Sequence, residues 1–276
     1  MSGYGLQRPV LGAALSLEGL RLHRDWILEK QRDLEIQDFY KAEVLNGDWQ
    51  PLATQVKALL DGHMGRIGIH GPFMGFTIAS DDPEVREVVK KRLDQGLDVC
   101  AALGATQMVV HSPFTTWNHH NLDKDPGARE RHIERAQTSL RDAVARAEDM
   151  GCVLVIENIE DKDPQARVAL AASFGSPAVR VSIDTGHAHY AHGSTGAPPV
   201  DYYVLAAGEA LDHIHLQDAD GYADRHWHPG EGTVRWDAVF RALAATGATP
   251  RLLLEVRDAA GLRKGADHLE RLGLAE

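Results

Sequence analysis

Short apolar runs rich in valine and isoleucine alternate along the chain with longer stretches in which apolar residues recur at helical spacing. Eight such runs occur: VLGAAL (10–15), LEIQDF (34–39), IGIH (67–70), MVVH (108–111), VLVIE (153–157), VRVSID (179–184), LDHIH (211–215) and LLLE (252–255). A short continuous apolar run is typical of a strand buried on both faces, as in a parallel sheet covered by helices. The alternation therefore predicts repeated strand–helix units.

The segments between the runs carry helix signals. In residues 83–103 the apolar side chains fall on one face at i, i+4 spacing: Val85, Val89, Leu93 and Leu97. The capping cluster SDD precedes Pro83, and Asp163-Pro164 is a similar start. Gly104 and Gly151 stand where helices should stop. Eight units in 276 residues without a linker or repeat predict one α/β domain, a (β/α)8 TIM barrel over residues 1–276.

Titratable side chains close six of the eight runs. They are His70, His111, Glu157, Asp184, His215 and Glu255. In a (β/α)8 barrel the carboxyl ends of the strands meet in one funnel, which holds the active site. Buried strand ends are usually apolar, because a charged group is costly to desolvate unless it is paired or bound to a metal. Together these residues predict a metal site on that rim.

Charge, cysteine content and hydropathy exclude several other classes of protein. The formal net charge of −11 opposes attraction to polyanions, so nucleic-acid binding is not expected. Cys100 and Cys152 lie in apolar stretches without metal-like spacing, which predicts small core residues rather than a disulfide scaffold or zinc ribbon. No apolar run could span a bilayer, and the start, MSGYGLQRPV, lacks a secretory-signal pattern. We therefore expect a cytoplasmic protein with no membrane contact.

Two further segments add imidazoles and carboxylates to the same rim. DTGH places His187 one turn beyond Asp184, and the loop LQDADGYADRHWHPGEG contributes Asp224 and His226. With these segments the chain resembles the xylose isomerase-like TIM barrels, a superfamily that includes sugar isomerases, sugar epimerases and the endonuclease IV nucleases (AP endonuclease family 2). The resemblance covers nearly the whole chain and rests on the ordered set VIEN, SIDTGHA, HIHLQD, DRHWHPGEG and LLLEV.

The epimerase branch of this superfamily implies one set of roles. There a Glu, an Asp, a His and a second Glu hold a single divalent metal. The matching residues are Glu157, Asp184, His215 and Glu255. By this resemblance Glu157 and Glu255 are the catalytic groups, exchanging a proton with the carbon next to a carbonyl of a small sugar, sugar acid or sugar phosphate. His187 would contact a substrate hydroxyl, and the protein would be a metal-dependent isomerase or epimerase.

The endonuclease IV branch implies an alternative. Its three-metal cluster takes nine ligands, and all nine positions are filled in this chain. They are His70, His111, Glu157, Asp184, His187, His215, Asp224, His226 and Glu255. Such clusters bind phosphoryl oxygens and generate a hydroxide nucleophile, which implies a multi-metal phosphodiester hydrolase acting on a small substrate other than DNA. A non-catalytic sugar- or metal-binding module is the third hypothesis. The motifs leave open whether one, two or three ions bind, and whether the metal is Mn, Zn, Fe or Co.

Side chains beside the rim are candidates for substrate contacts. Phe73 and Trp227 are expected to wall the pocket. Arg225 carries the positive charge that a phosphorylated substrate would need, although it could equally pair with a neighbouring acid. The expected partner is a small carbohydrate, and homo-oligomers are common in the superfamily.

Other polar residues near the strand ends are expected to have supporting roles. Because His213 lies two residues before His215, it should point to the same side, one layer deeper in the barrel. At most one of Glu35 and Asp38 can face the funnel, and Glu35 would either orient a ligand or be structural. Solvated loop positions are expected for the remaining histidines near the rim: His119, His120, His189 and His192.

Overall fold

A computed structural model describes residues 8–276 and has a closed barrel of eight parallel strands. The strands are β1 (Gly12–Leu15), β2 (Leu34–Ile36), β3 (Ile67–His70), β4 (Gln107–His111), β5 (Val153–Glu157), β6 (Val179–Asp184), β7 (Leu211–Leu216) and β8 (Arg251–Leu254). Strands adjacent in sequence are adjacent in the barrel, and β8 closes it by pairing with β1. The predicted (β/α)8 fold is confirmed, whereas the extent of the domain over residues 1–276 stays a prediction.

Helices surround the barrel. They are α1 (Leu17–Glu29), α2 (Ala42–Asn46), α3 (Gln50–Leu59), α4 (Pro83–Leu103), α5 (Thr116–Asn121), α6 (Ala128–Met150), α7 (Pro164–Ala172), α8 (Thr185–Thr195), α9 (Val200–Ala207), α10 (Trp236–Thr246) and α11 (Arg263–Arg271). The expected helix over 83–103 is confirmed. The Asp82 carboxylate caps its start by accepting a hydrogen bond from the amide of Glu84 at 2.8 Å. It ends at Gly104, whose φ of 68° only glycine adopts readily.

One apolar run is longer than the strand it predicts. The run 34–39 forms a strand only over Leu34–Ile36, and Asp38–Tyr40 is a turn of 3-10 helix. The Asp38 carboxylate accepts from the backbone amide of Leu17 at 2.7 Å, at the start of α1. This contact turns the chain away from the barrel, so of the two acids near β2 only Glu35 points inside.

The strand register brings the polar strand ends to one level. His111 lies opposite Glu157 across the β4–β5 pair, and Asp184 lies opposite His215 across the β6–β7 pair. Glu255 follows the last residue of β8 directly. Side chains that are distant in sequence therefore meet at the carboxyl end of the barrel, as this fold requires.

The described residues also bear on the expected cysteine and membrane properties. Cys100 and Cys152 are both buried free thiols, which agrees with their expected place in the core. No helix within residues 8–276 combines the length and the apolar character needed to cross a membrane. Residues 1–7, which form most of the start used to infer location, lie outside the described residues.

Candidate metal centre

Four side chains converge at the carboxyl end of the barrel from four consecutive strands. Glu157, Asp184, His215 and Glu255 each offer a donor atom, and these atoms all lie within 4.8 Å of one another. Three of the side chains are almost wholly buried, and Glu255 is 9% exposed. Three carboxylates and one imidazole form a donor set that suits a divalent transition metal.

The Asp184 carboxylate provides a direct test of whether a cation fits. Its Oδ1 accepts hydrogen bonds from the amide of His187 at 2.7 Å and from Gln217 Nε2 at 3.0 Å. Its Oδ2 is buried and has no hydrogen-bond partner among the described residues. Burial raises the pKa of Asp184 to about 6, and the nearby Glu157 carboxylate contributes to the rise. A divalent cation at this position would satisfy Oδ2 and offset the concentration of negative charge.

His215 lies at the centre of the four-residue group. Its Nδ1 is 2.5 Å from Glu157 Oε1 and 3.3 Å from Glu255 Oε2. Its Nε2 is 3.1 Å from a carboxylate oxygen of Glu35. Burial opposes protonation of His215, but these three carboxylates together raise its pKa well above the usual range. A proton on Nδ1 therefore stands where a metal ion would bind, while Glu35 accepts from the opposite ring nitrogen as carboxylates commonly do for metal-bound histidines.

His213 lies below this layer, as its spacing predicts. Its Nδ1 is 2.7 Å from the hydroxyl of Ser182, and its Nε2 is 3.2 Å from Glu35 Oε2. Burial opposes the ionisation of Glu35, but His215 and His213 outweigh it and hold the pKa of this carboxyl below its usual range. Glu35 is thus an ionised carboxylate shared by two imidazoles inside the barrel.

A second group of donors shares Glu157 with the first. His70, His111 and Glu157 offer atoms within 4.8 Å of one another. The two Nε2 atoms lie 3.4 Å apart, and that of His111 is 3.5 Å from Glu157 Oε2. Burial and the neighbouring His70 lower the pKa of His111 to about 3, so its imidazole is neutral. His70 donates from Nδ1 to the carbonyl of Gly71 at 3.0 Å, which turns its Nε2 toward the group.

The third group consists of His187, Asp224 and His226. Asp224 Oδ1 is 3.6 Å from His187 Nε2 and 3.1 Å from His226 Nε2. Both imidazoles donate from Nδ1 to a backbone carbonyl, of Asn158 at 2.9 Å and of Glu255 at 3.2 Å respectively. Burial opposes protonation of His226, but Asp224, Glu255 and Asp184 raise its pKa to about 9.

The backbone at His226 is held in an uncommon conformation. Its φ of 51° lies in the left-handed region, which non-glycine residues adopt at a cost. The amide of His226 donates to Gln217 Oε1 at 2.9 Å, and its carbonyl accepts from the amide of Arg257 at 3.0 Å. These contacts fix the imidazole beside Asp224.

Three amide side chains that the sequence analysis missed hold the donors in place. Asn158 exchanges two hydrogen bonds with the backbone of Asp184, at 3.0 and 2.9 Å. Gln217 donates to Asp184 and also to Asp224, both at 3.0 Å, so it links the first group to the third. Gln37 donates to the carboxylate of Glu255. Each lies within two residues of a strand end, and this position was the one available signal.

The predicted substrate contacts divide into two sets. Phe73 stacks on His111 with ring centres 4.1 Å apart and lies against the second donor group. Arg225 instead forms an ion pair with Asp220 at 2.7 Å, and its guanidinium lies 5.3 Å from the ring centre of Trp227. Trp227 is 36% exposed on this loop. A substrate contact by Arg225 or Trp227 stays a prediction.

The other rim histidines have local partners. His189 Nε2 is 2.7 Å from the hydroxyl of Thr233, and His192 Nδ1 donates to the carbonyl of Ala197 at 2.7 Å. The loop positions expected for these four histidines are wrong, because His119 and His120 lie on α5, the short helix that follows β4, and His189 and His192 lie on α8. None of these four belongs to a donor group formed by the described residues.

Comparison with known proteins agrees with the fold. Residues 28–272 match the model of a family described as xylose isomerase-like TIM barrel. The chain belongs to this family. An uncharacterized protein of Methanocaldococcus jannaschii is 23% identical over 214 residues, 73% of this chain and 69% of the relative. A ketose 3-epimerase of Arthrobacter globiformis is 25% identical over 62% of this chain and spans 56% of that enzyme.

Solved structures show the same family fold. A D-tagatose 3-epimerase-like protein superposes with a TM-score of 0.73 at 19% identity, covering 95% of this chain and 98% of that one. A Thermus thermophilus protein soaked with zinc chloride has a TM-score of 0.69 at 25% identity, covering 95% of this chain and 97% of that one. The chain therefore shares its barrel fold with these structures over nearly its full described length.

Proposed function

We propose that the protein is a metal-dependent isomerase or epimerase that moves a proton on the carbon next to a carbonyl of a small sugar, sugar acid or sugar phosphate. The observation that carries the proposal is the convergence of Glu157 and Glu255 on one point, where each has an oxygen within 3.3 Å of His215 Nδ1. Two carboxylates that approach one position from different strands suit a reaction in which one removes a proton and the other returns it. The similarity to a ketose 3-epimerase supports this chemistry.

The residues around the pair have distinct roles in this proposal. Gln37 donates to Glu255 and holds that carboxylate in place. His187 is fixed through its Nδ1, and its Nε2, which faces Asp224 Oδ1 at 3.6 Å, would contact a substrate hydroxyl. Glu157, Asp184, His215 and Glu255 would hold a divalent metal, Mn, Zn, Fe or Co. When bound, that metal supplies polarisation of the substrate carbonyl, which makes the neighbouring C–H bond more acidic.

Proton exchange with solvent tests the proposal. The protein is loaded with Mn or Zn and incubated in D2O with a panel of keto-sugars, and deuterium next to the carbonyl is followed by NMR. We expect Glu157→Gln and Glu255→Gln to lower the exchange rate about 10²- to 10⁴-fold, the usual contribution of a general acid or base. Glu130→Gln, on the exposed first turn of α6, is the matched control. A Glu255→Gln variant with full activity contradicts the mechanism. Because both glutamates are also proposed ligands, the metal content of each variant is measured in parallel.

A second candidate is a multi-metal hydrolase of small phosphodiesters, and one observation favours it. The nine donors form three groups, and Glu157 belongs to two of them. Metal content per chain separates the candidates, because the epimerase needs one ion whereas this hydrolase needs two or three. If His70→Ala and His111→Ala lower the metal content while one ion remains, these histidines hold an additional ion. Release of product from a phosphodiester would then favour the hydrolase.

The remaining expectations concern partners and location. The net charge of −11 supports a small carbohydrate rather than nucleic acid as the partner. A non-catalytic binding module would bind sugars or metals without turnover on any substrate of the panels. Self-association and a cytoplasmic location stay predictions.

A further inference from the structure

A small cavity adjoins the second donor group. It measures about 180 Å³ and lies between the segments that follow β3, β4 and β5. Its apolar walls come chiefly from Phe73, Phe76, Ile78, Phe114 and Ile159. His111 lines it as well, and this imidazole is also a proposed metal ligand. The cavity therefore borders the proposed active site at His111.

The charges around the cavity do not suit a phosphate. Apart from His111, Glu160 is the one ionisable side chain among the described residues that line it. No arginine or lysine is among the described residues that line the cavity, so no guanidinium or ammonium group faces it. The arginine predicted to bind a phosphorylated substrate, Arg225, is paired with Asp220 on another loop. A phosphoryl group in this cavity would be desolvated without a cation, which is strongly unfavourable.

The size of the cavity sets the size of its occupant. Pockets that enclose a whole drug-sized ligand measure roughly 300–1,000 Å³, so this one takes only part of a substrate. An apolar cavity of about 150 Å³ is large enough to bind benzene. The space beside His111 thus matches one uncharged six-membered ring.

We propose that this cavity binds an uncharged, apolar, ring-sized substituent of the substrate, so that the enzyme acts on sugars carrying such a group rather than on sugar phosphates. The inference rests on the proposed function, because it treats the metal centre as the place where the sugar reacts. Phe73 stacks on both His111 and Tyr40, so its ring lies where the second donor group and the cavity meet. Phe76 is half-buried, so its side chain can be truncated to alanine to remove part of the cavity wall.

Equilibrium binding tests the inference without turnover. Isothermal titration calorimetry on the metal-loaded protein compares the dissociation constants of phenyl β-D-glucoside, methyl β-D-glucoside and glucose 6-phosphate. Neither of the two glucosides carries a free carbonyl, so the binding of both is independent of the proposed proton transfer. We expect the phenyl glucoside to bind at least about tenfold more tightly than the methyl glucoside, from the apolar area that a ring buries. Glucose 6-phosphate should bind no more tightly than the methyl glucoside.

Variants and a second measurement locate the ring. Phe76→Ala should lower the preference for the phenyl glucoside by roughly threefold or more. Leu205→Ala removes an exposed apolar side chain from α9, outside this cavity, and should leave the preference unchanged. Saturation-transfer NMR on the unaltered protein should give stronger transfer to the phenyl protons than to the sugar protons. This measurement tests the subsite even if the Phe76→Ala variant does not fold.

The outcomes separate this inference from the proposed function. Equal binding of the two glucosides, no binding of either, or tighter binding of the phosphate overturns the apolar subsite even if keto-sugars exchange their protons. Strong phenyl preference without proton exchange on any keto-sugar would keep the subsite and overturn the proposed reaction.

Discussion

Glu35 provides a sharp test of how the barrel interior tunes the metal centre. We expect Glu35→Gln to weaken metal binding while the fold is retained, since the substitution keeps the side chain's shape and removes its charge. In the structure the Glu35 oxygens lie 3.1 and 3.2 Å from His215 Nε2, and Glu35 is 1% exposed. A carboxylate in this place increases the basicity of the imidazole and fixes which nitrogen faces the metal.

Two independent estimates give the same magnitude. A hydrogen bond to a charged group contributes about 1.5–3 kcal/mol, and loss of a partner that supports a metal ligand typically lowers affinity about 10–100-fold. A hundredfold change in affinity corresponds to about 2.7 kcal/mol, so the two ranges overlap. We therefore expect the dissociation constant for Zn or Mn to rise about 10–100-fold in the Glu35→Gln variant.

Competition with a chromogenic chelator measures the affinity, and circular dichroism checks the fold. Asp38→Asn is the matched control, because Asp38 follows the same strand but its carboxylate caps α1 at Leu17. That variant should lose thermal stability and keep its metal affinity. If Glu35→Gln binds metal as tightly as the unaltered protein, Glu35 does not act through His215 and the reasoning is refuted.

Three further predictions follow from other parts of the site. The Asp218 carboxylate is buried and accepts hydrogen bonds from three backbone amides and the Trp236 indole at 2.8–3.1 Å. Asp218→Ala should therefore lower the free energy of unfolding, measured by urea titration, by about 3–5 kcal/mol. A change below about 1 kcal/mol would contradict this structural role. A Cβ on Gly186 would lie 2.1 Å from the Gln217 side chain, so Gly186→Ala should displace that amide and weaken metal binding at least about tenfold in the same chelator assay. Gly62→Ala, which has open space around it but a φ of 83°, is the control for a strained backbone away from the site and should keep its metal affinity. Metal at about 100 times its dissociation constant should raise the melting temperature by about 5–10 °C relative to chelator-treated protein, and an unchanged melting temperature would mean that no ion binds the folded state preferentially.

The polar strand ends could be predicted because the barrel fold assigns them all to one rim. Once eight strand–helix units are counted, the residue that ends each apolar run is placed at the funnel end of the barrel, whatever its distance along the chain. His70 and Glu255 were found in this way, and so was the deeper position of His213. Asn158, Gln217 and Gln37 were missed because an amide side chain after a strand looks the same whether it faces solvent or a carboxylate.

The apolar cavity could not be predicted from periodicity. Phe73, Phe76 and Phe114 lie in segments that follow strands, where neither the helical nor the strand period applies. Phe73 was expected to wall the pocket, but Trp227, expected to do the same, packs with Arg225 on an exposed loop. Loop side chains take their positions from tertiary contacts, which a single sequence does not specify.

By itself the sequence determined the fold class, the end of the barrel that holds the site and the chemical type of its donors, because hydrophobic periodicity and residue identity are local properties. The tertiary structure alone decided that Glu35 rather than Asp38 enters the barrel, that nine donors divide into three groups, and that aromatic and aliphatic side chains form most of the neighbouring cavity's wall. Distances between side chains depend on strand register, loop conformation and packing across the whole barrel, and these arise only when all eight strands close around one core.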